Sequence, residues 1–286
     1  MRTLCFAVVL AITARASAQN SPHPAPDFAT SPDGVRIAYE AHGTSAPGAP
    51  ALVFVHGWSC DRSYWNEQID AFSRDHQVVA VDLAGHGESG LNRKDWSIAA
   101  FGGDVAAVVK KLGLHRVILI GHSMGGDVIA EAARQLPGRV VGMVWVDVYK
   151  RLGVGRRPES VDAFVARLRP DFVDSTRAFV RSMFIPASNP ALVERIANDM
   201  SSAPPEVALP SVESAFGYSR QMPHTLDELR LPVIAINPDN APTDTSSMQR
   251  HGVEVVIMPG VGHFSFLEDP PRFDGLLRAA VAKLSR

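Results

Sequence analysis

The stretch Val117-Ile118-Leu119-Ile120-Gly121-His122-Ser123-Met124-Gly125-Gly126 decides the fold. Four apolar residues closed by a glycine read as a strand buried on both faces. From Met124 to Gln135 the spacing turns helical. Gly121, Ser123 and Gly125 sit at the change. In a chain with 22 glycines the G-x-S-x-G pattern alone is weak, and the strand-turn-helix setting gives it meaning. A turn sharp enough to lift Ser123 off the sheet leaves no room for neighbouring Cβ atoms, which glycine satisfies. The helix that follows aims its N-terminal amides and positive dipole end at the hydroxyl.

The same alternation extends outward on both sides. Short apolar runs occur at Ala51 to Val55, Val78 to Val81, Val140 to Val146, Val233 to Ile236 and Val253 to Met258. Helical stretches lie at Tyr64 to Phe72, Ile98 to Leu112 and Phe273 to Leu284, the last introduced by Pro270-Pro271. This is the pattern of an α/β fold, a parallel sheet with helices on both faces. Ahead of it, Phe28 to Glu40 reads as a hairpin turning at Pro32-Asp33-Gly34, which puts antiparallel strands at one edge.

Between Val148 and Leu231 the strand pattern stops. Ala163 to Leu168, Ser175 to Met183 and Leu192 to Met200 carry helical spacing, and Pro170, Pro186, Pro190, Pro204, Pro205 and Pro210 cut the segment into short pieces. The expected organisation is a core of residues 28–147 and 231–286 with a helical lid, 148–230, over the crevice at the C-terminal strand ends. Phe164, Phe172, Phe179, Met183, Phe184 and Phe216 of that insertion predict an apolar group on the ligand.

The 286 residues are 46% hydrophobic, enough for a large core, which excludes disordered and fibrous classes. A net charge of −2, from 28 basic and 30 acidic residues without a long run of either sign, argues against nucleic acid as the main partner. Residues 1–18 read as a signal peptide. Arg2 precedes the apolar stretch Leu4 to Ile12, and Ala16-Ser17-Ala18 has the small-x-small form of a cleavage site. The stretch is too short to span a bilayer, so an exported protein, periplasmic or secreted, is expected. Cleavage removes Arg2 and Arg15 and no acid, taking the charge to −4; it also removes Cys5 and leaves Cys60 without an internal disulfide partner. Residues 19–27 form a Pro-rich linker. No Gly-x-Gly-x-x-Gly follows a strand, and there is no Walker lysine, Cys-x-x-Cys or His-Glu-x-x-His, so neither a cofactor nor a metal is expected.

With these features in place the chain resembles the α/β-hydrolase family in its lidded, esterase-like branch. Four segments carry the resemblance in the family's order: Phe54-Val-His-Gly-Trp58, Asp82-Leu-Ala-Gly-His-Gly-Glu-Ser89, Gly121-His-Ser-Met-Gly125 and Gly260-Val-Gly-His-Phe264. It implies a mostly parallel sheet of about eight strands, with a helical cap inserted after the sixth, and acyl transfer through a serine. By the resemblance Ser123 is the nucleophile and His263, in the loop beyond the last strand, its base; His56 and His86 match structural turns. Met124 and Trp58 supply the backbone oxyanion donors, and the Trp58 indole walls the acyl pocket.

The acid that orients His263 has two candidates. The family's usual loop is Asn237-Pro-Asp-Asn-Ala-Pro-Thr-Asp244 here, which departs from the Gly-x-x-Asp setting and offers Asp239; Asp244 reads as a helix cap. The other candidate is Asp147, at the tip of the sixth strand, since geometry rather than chain order defines a triad. Asp239 is the first choice and Asp147 the second. The resulting expectation is a serine hydrolase of small to medium, mainly apolar carboxylic esters. A carbon-carbon hydrolase, lactonase, thioesterase, acyltransferase or haloperoxidase would use the same parts, and a binding protein on the same fold would have lost turnover.

Overall fold

The structure, a computed structural model, describes residues 25–153 and 158–286. The expected signal peptide and most of the linker lie outside the described residues. Eight strands form one sheet: β1 (Asp27–Thr30), β2 (Arg36–His42), β3 (Ala51–Val55), β4 (Val78–Val81), β5 (Val117–His122), β6 (Val140–Val146), β7 (Val233–Pro238) and β8 (Val253–Met258). Their spatial order is β1-β2-β4-β3-β5-β6-β7-β8. The first two strands pair antiparallel through the turn at Pro32, with Thr30 opposite Arg36, and β2 is antiparallel to β4. All other pairings are parallel.

Every residue of β3, β4 and β5 is buried, as a sheet covered on both faces requires. Each buried Val, Leu or Ile there contributes roughly 1.5–3 kcal/mol relative to exposure. The covering helices are α1 (Asn66–Phe72), α2 (Ile98–Lys111) and α3 (Met124–Arg134) in the first half of the chain. A 3₁₀ turn, Arg62–Trp65, precedes α1 where the sequence suggested a helix from Tyr64. The α2 helix starts at Ser97, whose hydroxyl accepts from the Ala100 amide, and ends with Lys110 and Lys111 at the negative end of its dipole.

Among the described residues five helices stand between β6 and β7: α4 (Pro158–Leu168), α5 (Phe172–Arg181), α6 (Pro190–Ser201), α7 (Pro205–Tyr218) and α8 (Met222–Leu229). The sequence suggested three. Its reading of Pro204 and Pro205 as breaks holds, since α6 ends at Ser201 and Pro205 takes the first position of α7, where its missing N–H costs nothing; Pro210, read as a breaker too, lies inside that helix. In this cap α5 packs on α6 and α4 on α7, while α7 also reaches α2 and α3 of the core. The chain closes with α9 (Thr245–Gln249), α10 (Ser265–Glu268) and α11 (Pro270–Leu284). Asp244 caps α9, accepting from the Ser247 amide. No helix of the described residues is long and apolar enough to cross a membrane.

Candidate active site

Ser123 follows the last residue of β5 with φ +51° and ψ −121°, a backbone conformation that L-residues rarely adopt. Such strain costs on the order of 1–3 kcal/mol and persists only where its surroundings enforce it. Here the surroundings do. The Ser123 amide donates to the Val146 carbonyl at 3.0 Å, and the Gly126 amide returns to the Ser123 carbonyl at 2.9 Å. A Cβ at Gly121 would stand 2.3 Å from the Gly125 carbonyl oxygen, and one at Gly125 would stand 2.6 Å from the carbonyl oxygens of Val55 and His56. The elbow is therefore a contact of backbone with backbone.

His263 lies in the loop between β8 and α10. Its Nδ1 donates to Asp147 Oδ2 at 2.7 Å, which leaves Nε2 as the basic nitrogen. The loop is held at both backbone atoms of this residue. The His263 amide donates to the carbonyl of Met183 in the cap at 3.0 Å, and its carbonyl accepts from His122 Nε2 at 3.0 Å. His122 itself is buried, and burial, with the nearby His263 ring, holds it well below the ordinary imidazole range. It is a neutral strut. His56 and His86 are bound to backbone carbonyls of their own turns, and burial lowers them to about 4 and about 3.

Of the two aspartates considered, Asp147 touches the imidazole and Asp239 does not. Asp239 Oδ1 accepts from the Gly260 amide at 2.8 Å, bracing the loop that leads to His263. The first choice made from sequence is thereby corrected. The reason is local: Asp147, directly after β6, takes φ +47°, which turns its side chain from the strand direction toward the neighbouring loop. Burial pushes this carboxyl up, but His263 and Lys150 together hold it below the ordinary carboxylate range. Lys150 Nζ lies 2.9 Å from Asp147 Oδ1 and donates to the Pro238 carbonyl at 2.7 Å. No motif marks Lys150 in the sequence; only its place three residues beyond a strand-tip acid could have suggested it.

Ser123, His263, Trp58 and Met124 line one cavity of about 360 Å³. Neither the Trp58 nor the Met124 amide has a protein acceptor among the described residues. For Met124 this follows from its place in the first turn of α3. Gly57 lets the β3 loop approach, since a Cβ there would lie 3.0 Å from His122 Nδ1 and 3.3 Å from Ser123 Cβ. The loop is anchored behind by Arg62, whose amide donates to Asp82 Oδ1 at 2.7 Å and whose guanidinium bonds Asp82, Glu40 and Glu88. Gly87 makes room for that carboxylate: a Cβ there would stand 2.3 Å from Asp82 Oδ2.

The apolar wall comprises Trp58, Phe179, Met183, Met200, Val212 and Phe216. Of the six cap residues expected there, Phe164, Phe172 and Phe184 stand behind it instead. Phe164 packs against Phe179 and Phe216, Phe172 against Trp58, and Phe184 stacks on Phe264 at 5.2 Å. The Trp58 indole does more than form a wall, because its Nε1 donates to the Ala208 carbonyl of α7 at 2.7 Å. Cys60 also lines the cavity; burial pushes its thiol well up, as suits a small hydrophobe.

Residues 52–274 match the sequence profile of the alpha/beta hydrolase family. Among solved structures, the fold superposes on a thermophilic esterase from Thermogutta terrifontis with a TM-score of 0.78 at 23% identity, covering 91% of this chain and 99% of that one. An esterase from Rhodococcus sp. ECU1013 gives 0.73 at 26% identity, over 91% of this chain and 100% of that one. A curated relative, the dihydrolipoyllysine-residue acetyltransferase component of the acetoin cleaving system of Cupriavidus necator, is 35% identical over 114 residues. That match covers 40% of this chain and 30% of the relative's length. With the profile spanning most of the sequence and an eight-stranded, mostly parallel sheet carrying the strained serine, the chain belongs to the alpha/beta hydrolase family.

Proposed function

We propose that the protein is a serine hydrolase of carboxylic esters with an apolar acyl or alcohol group. One observation carries the reading: His263, bonded at 2.7 Å to Asp147 behind it, lines the same cavity as a serine held in strained backbone at the head of a helix. A hydroxyl is a poor nucleophile at its free pKa and needs an adjacent base. In the proposed reaction His263 Nε2 takes the Ser123 proton as Oγ attacks the ester carbonyl. The Trp58 and Met124 amides, which have no protein acceptor among the described residues, receive the developing oxyanion. Asp147 keeps the proton on Nδ1 and stabilises the imidazolium. His263 then protonates the departing alkoxide, and water activated by the same nitrogen releases the acid.

The test is covalent labelling with a fluorophosphonate. Wild-type protein should label and Ser123→Ala should not, with both folded by circular dichroism. A folded wild type that stays unlabelled would instead mark a binding protein on this fold. Esterase neighbours and the apolar wall support the substrate class. We also propose export after removal of residues 1–18, supported by the sequence features of that segment; a mature N-terminus at Gln19 is the expected result of sequencing the secreted protein.

A further inference from the structure

One ionisable group in the cavity has no part in the reaction just described. Asp127 lies in the first turn of α3, one helical turn beyond Ser123, and is 6% exposed. The Tyr149 hydroxyl donates to its Oδ1, while no described residue hydrogen-bonds its Oδ2. No cation of the described residues pairs with it. Lys150 and Arg151 share the cavity, but Lys150 is engaged by Asp147 and Pro238, and Arg151 faces Asp244. The other titratable groups around it are Tyr149 on the loop after β6, Tyr218 on α7, Glu131 one turn further along α3, where Tyr218 and Arg134 bond it, and Cys60, His122 and His263 across the cavity. Neither tyrosine supplies a positive charge.

A buried carboxyl with an oxygen left unbonded is costly unless something bonds to it. A carboxylate accepts hydrogen bonds only, whereas a carboxylic acid also donates. With burial raising Asp127 to about 7, both forms occur near neutrality. A hydroxyl is the simple group that suits both, donating to the carboxylate and accepting from the acid. Resting on the ester hydrolase reading above, we propose that Asp127 is a specificity residue and that the natural substrate is a hydroxylated ester, its hydroxyl bonded to Asp127 Oδ2.

Two matched pairs test this: p-nitrophenyl hexanoate against its ω-hydroxy analogue, for a hydroxyl on the acyl side, and hexyl acetate against hexanediol monoacetate, for the alcohol side. The wild type should prefer the hydroxylated member of one pair by about tenfold in kcat/KM, the scale of one hydrogen bond to a group that can be charged. Asp127→Leu should lose that preference, and Asp127→Asn, which both donates and accepts, should keep it. An ω-methoxy analogue needs no variant. It can only accept, so the wild type should favour it below about pH 7, where Asp127 holds a proton, and not above. In Asp127→Asn that preference should persist at both pH values. Ratios within a pair cancel the titration of the shared catalytic groups. Equal rates within both pairs in the wild type, or a preference that survives Asp127→Leu, would overturn the proposal. Failure of the hydrolase reading looks different: no fluorophosphonate labelling and no turnover of any of these esters, and the proposal then falls with it.

Discussion

Asp147 and Asp239 are both aspartates beside the loop of His263, and their hydrogen-bond partners separate their roles. Asp147 at φ +47° reaches the imidazole, whereas Asp239 reaches the amide of Gly260. Replacing Asp147 with Asn should lower kcat by about 10⁴, because an amide facing Nδ1 favours the wrong tautomer. Asp239→Asn keeps an acceptor for Gly260 and should cost less than tenfold; equal losses in the two variants, measured by steady-state kinetics, would sink the assignment. Asp127 adds a prediction on stability. Its folded pKa, about 7, lies above the free value of 3.8, so the folded state holds the proton more tightly than the unfolded chain. The stabilisation is complete below about pH 4 and is lost as pH rises through about 7, with a total on the order of a few kcal/mol. Asp127→Asn keeps the Tyr149 bond without the titration. Urea unfolding should therefore show the Asn variant gaining on the wild type between these pH values, and a difference that does not vary with pH would refute this.

At the level of elements, the sequence discloses what depends on local periodicity and hides what depends on tertiary contact. The fully buried strands β3, β4 and β5 were legible as apolar runs, and α2 and α3 as helical spacing. The serine and histidine were legible through their motifs. Helix α7 was not, because Pro210 contradicts local propensity and is tolerated only where packing against α2, α3 and α4 overrides it. Asp127 and Lys150 were also hidden, since nothing in a linear pattern tells a buried acid from a solvated one. The Arg62 cluster shows how such contacts join elements: it ties the β3 loop to β2 and to the β4 loop around the fully buried Asp82. Arg62→Met should leave that charge unpaired at a cost of about 3–5 kcal/mol in denaturant unfolding. It should also depress kcat, because the loop it anchors carries the Trp58 amide. A loss below about 1 kcal/mol would mean that Asp82 finds other partners.

Across the whole molecule, two hydrogen bonds of different origin join the cap to the candidate site. The Trp58 indole bonds Ala208 of α7, and the His263 amide bonds Met183 just beyond α5. Each joins the cap to one of the loops that frame Ser123, so cap position and site geometry are coupled. Trp58→Phe removes the first bond while keeping an aromatic ring against Phe172 and Phe179. The bond is worth roughly 0.5–1.5 kcal/mol net, so the equilibrium for local opening of α7 should rise by about two- to tenfold. Hydrogen exchange should then quicken in the peptides of α7, with those of β3, β5 and β6 unchanged, because the sheet loses no partner. A uniform increase over cap and sheet would mean instead that the ring exchange disturbed the core, and no change in α7 would show that the indole bond does not hold the cap. If α7 alone responds, kcat/KM for bulky esters should fall with it, since the wall formed by Val212 and Phe216 belongs to the element released.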